Sequence, residues 1–275
     1  MIIGYANSMF TATHGILARG GGAAFDADAQ AFITAAVITD VTQQNAINTL
    51  VVDLKGYSIW TKMKAIYPIC GSTASQHKFN LKDPRDLDAA YRIFWSGGVT
   101  HSSNGVQFVG VNGYGNTFLN QLSVLTQNSQ HISFYSRTNT DGNFGEIGVK
   151  SAATAYTILQ VKYTNAFVAP INEAYIFADN SANANGQGFY VGNRTGATLR
   201  NNWKNGSKVH TSSSISQTQA NFNFFVGAFN NAGSAAGYSN RQCAFASIGD
   251  GLTDAEALNF YTAVQAFQTT LSRQV

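Results

Sequence analysis

Hydrophobic positions along the chain change period twice. In DVTQQNAINTLVVDLKG (40–56), Ile47, Leu50, Val51 and Leu54 recur at i, i+3, i+4 and i+7, the single apolar stripe of a helix. Asp40 and Gln43 have capping-box spacing, with Gln in the Glu/Gln place, and Gly56 predicts the stop. The preceding DADAQAFITAA (26–36) begins with acidic residues, which complement the positive end of a helix dipole, and ITD then breaks it. This pattern predicts a helical pair over 26–56 that packs on a sheet built later in the chain.

From about residue 60 to 250 the period falls to two. YTILQVKYT (156–164) sets Ile158, Gln160 and Lys162 against Leu159, Val161 and Tyr163; HISFYSRT (131–138) and NFNFFVGAF (221–229) are similar aromatic-rich strands. Turn signals separate them: SGG, VNGYGN, TDGN and NANGQG. The sharpest is WKNGSKV (203–209), where Asn205-Gly206 predicts a type I′ hairpin because both residues tolerate positive φ. Many short strands without alternating helices predict an antiparallel sandwich. After Gly251 the period returns to that of a helix. Thr253 and Glu256 form a capping box, and Phe260, Val264, Phe267 and Leu271 make the buried stripe of a closing helix over 253–271.

Composition narrows the function. Hydrophobic residues make up 44% of 275, enough for a large core, while charged residues are only 11%, well below the usual quarter. Asn, Ser, Thr, Gln and Gly fill the deficit. The net charge is +3 with scattered cations, so no nucleic-acid partner is expected. No run reaches the roughly 18 apolar residues of a membrane helix, and the opening MIIGYANSMFTATHGILARGGGAAF lacks a basic leader with an apolar stretch. Cys70 and Cys243 lie far apart and read as buried thiols, with a single disulfide as the alternative. Residues 1–24 end in RGGGAA but carry Ile2, Ile3, Tyr5, Met9 and Phe10. They read either as a frayed terminus or as an attachment arm for a neighbouring subunit.

FNFFVGAFNN followed by CAFASIGDGLTDAEALNFYTAVQAFQTTL (243–271) resembles the closing segment of concanavalin A-like, laminin-G-like domains, where a last strand leads into a Leu-Thr/Ser-Asp-Ala-Glu helix start; here that is Leu252 to Glu256. NGSKV (205–209) resembles the family's Asn-Gly hairpin. With LKGYSIWTKMKAIYP and LKDPRDLDAAYRIFWSGG, the pattern resembles phage and prophage virion proteins of this superfamily over about residues 26–275. The resemblance implies a mainly β, concanavalin-like jelly-roll sandwich of two antiparallel sheets with flanking N-terminal and C-terminal helices. It further implies a virion structural protein, a capsid decoration or a head or tail fibre subunit. Such a protein would join other virion proteins through the arm, form a homo-oligomer with a trimer favoured, and bind host-surface glycans. A stand-alone lectin is the alternative, and a polysaccharide-degrading enzyme on the same fold the weaker one.

Candidate chemistry is sparse. A retaining glycoside hydrolase needs two carboxylates roughly 5–5.5 Å apart, yet Glu146 and Glu173 have no acidic neighbour and Glu256 is taken by the helix cap. Asp86 and Asp88 have i, i+2 spacing but read as caps of a turn, or as a calcium site with Asp83. His14, His77, His101, His131 and His210 never pair at metal spacing, so no metal or cofactor is expected. VNGYGNT (111–117) reads as a turn rather than a phosphate loop. Non-enzymatic sugar binding is the better expectation, since sugars need aromatic faces and planar polar groups. Trp203, beside the Asn-Gly turn, and Tyr238, in AGYSNR, are the candidate carbohydrate contacts.

Overall fold

The computed structural model describes residues 24–151 and 155–275, so the expected arm over 1–24 lies, but for Ala24, outside the described residues. In chain order the strands are β1 (Met63–Tyr67), β2 (Phe94–Ser96), β3 (Val99–Ser102), β4 (Gly105–Phe108), β5 (Tyr114–Asn120) and β6 (Gln130–Ser136). They continue as β7 (Ile147–Lys150), β8 (Ala155–Tyr163), β9 (Ala166–Val168), β10 (Ile171–Ala174), β11 (Ser181–Ala182) and β12 (Gly188–Gly196). The rest are β13 (Leu199–Lys204), β14 (Ser207–Ser212), β15 (Asn223–Val226), β16 (Phe229–Asn231), β17 (Ser234–Ala236) and β18 (Gln242–Gly249). Three longer helices flank them: α1 (Ala27–Ala35), α2 (Val41–Gly56) and α3 (Asp254–Thr270).

The strands form two sheets. Sheet I runs β14-β13-β12-β6-β18-β4-β3, with β1 also on β18; sheet II runs β11-β9-β8-β7-β15-β5-β2, with β10 on β8 and β16 on β7. Neighbours are antiparallel except β16 beside β7. The expected sandwich with flanking helices is therefore the observed architecture, and Asn205 and Gly206, at φ 48 and 76, make the predicted hairpin between β13 and β14.

Alternation along the strands of sheet I builds two cores. Phe134, Tyr190, Ala246 and Ile248 face sheet II and meet Ile147, Val149, Leu159, Val161 and Phe224. Tyr135, Phe189, Val191 and Phe245 face the other way, against Phe32, Leu50, Leu54, Phe260 and Val264 of the helices. Each large apolar side chain so buried contributes about 1.5–3 kcal/mol. Phe260 sits edge-on to Phe189 and Phe245, with centroids at 5.2 and 6.0 Å, so Phe260→Ala would open a cavity costing about 3–5 kcal/mol. Helices thus cover sheet I, while among the described residues no helix layer covers the outer face of sheet II.

The helix signals hold with two corrections. Thr253 and Glu256 form the full capping box, and Asp40 accepts from Gln43 N at 2.8 Å. Gln43 does not return the bond: its Oε1 accepts from Gly71 N at 2.6 Å, tying α2 to a loop instead. Gly56 is the last helical residue, and the left-handed position after it falls to Ser58, at φ 61. The turn expected over 111–117 ends at Gly113, because β5 begins at Tyr114. Cys70 and Cys243 are buried free thiols, and burial pushes both up to about 12.

Candidate functional site

The outward positions of sheet II build an aromatic surface. On β8, Thr157, Leu159 and Val161 point into the sandwich, leaving Tyr156, Ile158 and Gln160 outside. Strict alternation would send Tyr163 inward with Leu159 and Val161. The β8–β9 register slips between Gln160 and Tyr163, and this bulge turns Tyr163 outward to join the others. The hairpin closing that pair places Thr164 and Asn165 at φ 49 and 56, and Asp141 holds their backbone N–H groups at 2.8 Å each.

These side chains line an open cavity of about 310 Å³ with Asn143, Tyr175, Phe229 and Gly237. The Tyr156 and Tyr175 rings lie 5.4 Å apart, tilted by 48°. Phe229 lies against Gly145 and Gly237: a Cβ at either would come within 2.7 Å of its ring, and Gly237 also takes a left-handed φ of 58. Hydrogen bonds run along the floor. Tyr175 donates to Gln160 Oε1 at 2.7 Å, and Gln160 Nε2 donates to Asn143 Oδ1 at 2.7 Å. Burial, reinforced by the phenols of Tyr163 and Tyr156, pushes Tyr175 up to about 12, so its hydroxyl keeps the proton it donates.

The loop that carries Asn143 is anchored from below by Arg241. Its Nε donates to Glu146 Oε1 at 2.7 Å, while Nη1 and Nη2 reach the carbonyls of Thr138 and Thr140 at 2.7 and 2.5 Å. Glu146 Oε2 in turn accepts from Val161 N at 2.9 Å. Both side chains are fully buried, and burial raises the Glu146 carboxyl against the pull of Arg241. Spacing left Glu146 without an acidic neighbour, and its place in the fold is that of a loop anchor.

A second buried charge network lies where β10, β12, β13 and β14 come together. Glu173 pairs with Arg194 and with Arg200 Nε, the latter at 2.8 Å, and Arg200 also pairs with Asp179. Asp179 accepts from His210 and, at 2.6 Å, from Ser212 Oγ. Desolvation pushes Glu173 up to about 7 despite its two guanidiniums, whereas Ser212, His210 and Arg200 hold Asp179 below the usual carboxylate range.

The structure separates the two sequence candidates. Trp203 is 6% exposed, packed in the helix-side core of sheet I, with the Lys208 ammonium 5.5 Å from its ring centroid. Its turn neighbour Asn205 suggested exposure, but alternation along β13 directs the indole under α3. That is a correction: Trp203 is a packing residue. Tyr238 is half-buried next to the lining residue Gly237, does not itself line the cavity, and has its ring 6.4 Å from that of Tyr114. The Asp83, Asp86 and Asp88 cluster is taken by cations: Asp83 by Arg85 at 2.5 Å, Asp86 by Lys78 at 2.5 Å and Arg92 at 2.8 Å, and Asp88 by Arg92 at 2.8 Å. No group of three metal-ligating side chains occurs among the described residues. Spacing also kept His77 and His101 apart, yet their Nδ1 atoms meet at 3.0 Å. Tyr156, Tyr163, Tyr175, Phe229, Gln160 and Asn143 were not singled out from sequence. Only their outward period-two positions on β8 could have pointed to some of them.

No family model and no curated relative matches the chain. Solved structures do match in fold. A mutant of Trypanosoma rangeli sialidase displaying trans-sialidase activity aligns at TM-score 0.53 and 9% identity over 82% of this chain and 39% of its own. Botulinum neurotoxin type C, which interacts with two ganglioside molecules, aligns at TM-score 0.50 and 14% identity over 76% and 52%. Domain 4 of the arabinanase AbnA of Geobacillus stearothermophilus, in complex with arabinotriose, gives 0.48 and 12% over 72% and 98%. The chain thus spans 39% of the sialidase and 52% of the toxin chain. The fold is the concanavalin-like jelly-roll sandwich.

Proposed function

We propose that this protein binds carbohydrate on the outer face of sheet II. The observation that carries the reading is the cavity walled by Tyr156, Tyr163, Tyr175 and Phe229, with the amides of Gln160 and Asn143 at its base. Aromatic faces suit the C–H patches of a sugar ring, and planar amides suit its hydroxyls. The sialidase and the ganglioside-interacting toxin that share the fold make glycans a fitting ligand class. A glycan array followed by titration of hits against Tyr156→Ala and Phe229→Ala tests it. Both variants are expected to lose binding while keeping the melting profile. Hits that bind both variants as tightly as the unaltered protein remove this site.

Binding without hydrolysis is the companion proposal. Among the described residues no carboxylate lines the cavity, and Glu146 and Glu173 are held in buried pairs with arginines. Incubation with common polysaccharides is expected to release no reducing sugar. Release that disappears in Asp86→Asn or Glu146→Gln, with the variant still folded, would overturn this.

The site of action we propose is the virion of a bacteriophage, with the sandwich as an oligomeric fibre or decoration subunit. Support comes from the sequence resemblance of the last strand and closing helix, here β18 and α3, and from the uncharged Asn/Ser/Thr-rich composition. Deleting residues 1–24 is expected to leave a folded sandwich that no longer joins particles; normal incorporation of the deleted form refutes the arm.

A further inference from the structure

Lys150 stands opposite Tyr156 in the β7–β8 pair, and its ammonium lies 4.8 Å from the centroid of that ring, one wall of the cavity. Among the described residues no carboxylate pairs with it. The other charged groups nearby are occupied. Lys162 donates to the carbonyl of Ala184 at 2.8 Å and to Asn139 Oδ1 at 3.3 Å. Asp141, two residues from Asn143, has both oxygens on the Thr164 and Asn165 backbone. The amides of the floor are polarised in one sense as well. Gln160 Oε1 already accepts from Tyr175 and Asn143 Oδ1 from Gln160, so each amide oxygen has one lone pair engaged, while among the described residues no hydrogen bond takes the Asn143 N–H groups.

A sugar hydroxyl both donates and accepts, whereas a carboxylate only accepts. A half-buried wall with amide and phenol donors, no acid among its described residues and a cation beside one of its rings therefore favours the carboxylate, through charge-assisted hydrogen bonds. We infer that the cavity selects acidic saccharides, those whose ring bears a carboxylate, and that Lys150 is the residue that sets this preference. The inference rests on the glycan-binding reading above.

The test titrates the full chain by calorimetry with oligogalacturonate, with its methyl ester, and with a neutral galacto-oligosaccharide. The ester keeps the ring and removes the charge. Oligogalacturonate is expected to bind about 1.5- to fivefold more tightly than the ester, the range of an exposed ion pair, and the margin should shrink as salt rises. Lys150→Met should abolish the margin, with oligogalacturonate losing more affinity than the ester, and Lys150→Arg should restore it. Equal affinity for acid and ester, or a margin that survives in Lys150→Met, overturns the selection and leaves neutral-glycan binding in place. Absence of binding by all three probes also overturns it, and a positive array would then support only the broader reading.

Discussion

Tyr175 and Gln160 are joined by a 2.7 Å hydrogen bond from phenol to amide oxygen, and that bond orients the floor of the cavity. Gln160 is 4% exposed, so its amide has few other partners, and its orientation decides which atom of Asn143 is free. Tyr175→Phe keeps the ring and removes the donor. The expected cost is about 1 kcal/mol of stability, a melting shift of about 2–4 °C by calorimetry, together with weaker glycan binding. Unchanged affinity would show that the amide relay does not orient the ligand.

Trp203 and Tyr156 should behave in opposite ways. Trp203→Ala empties a site in the helix-side core and is expected to cost about 3–5 kcal/mol, with sugar affinity of the folded fraction unchanged. Tyr156→Ala removes a half-exposed ring from the cavity wall and should cost affinity rather than stability. Thermal melts beside binding titrations separate the two. A Trp203→Ala protein that melts normally but fails to bind would reverse the assignment.

Acid should weaken the fold through its buried histidines. Burial holds His77 down at about 3 and His131 at about 4. His131 Nδ1 donates to the Asp250 carbonyl at 2.6 Å, and its Nε2 faces Ser247 Oγ at 3.2 Å, partners that suit a neutral ring. In the unfolded chain both rings take up protons near pH 6.5. Because the folded values are depressed, their stabilisation is complete above pH 6.5 and is lost as pH falls toward 4 and then 3. The loss is on the order of 3–5 kcal/mol per ring at the acid end. The melting temperature should be level from pH 8 to 7 and decline from pH 6.5 to 4, with a shallower decline in His131→Gln. A level profile down to pH 4 would refute this assignment.

Glu173 holds two guanidiniums in a buried site, so Glu173→Gln leaves Arg194 and Arg200 without their charge partner. Removing one member of a buried pair costs about 3–5 kcal/mol, and a melting decrease on the order of 10 °C is expected. A decrease of only a degree or two would mean that Asp179 compensates for the lost charge.

Sequence by itself determined the elements and their faces. Periodicity and capping are local: the Ile47, Leu50, Val51, Leu54 stripe, the Thr253–Glu256 box and the Asn205-Gly206 turn each lie within a few residues, and all three occur as predicted. Tertiary structure decided the site, because its side chains come from β8, the segment after β10, β16 and two loops far apart in the chain. It also decided which sheet face stays open. Strands of both sheets send apolar side chains to both faces, and among the described residues the docking of α2 and α3 on sheet I covers Trp203 while no helix covers the Tyr156 face. Tyr163 shows the limit most sharply: its period-two position points inward, and a bulge set by pairing with β9 turns it out. His77 and His101, 24 residues apart, meet only because the fold brings them together.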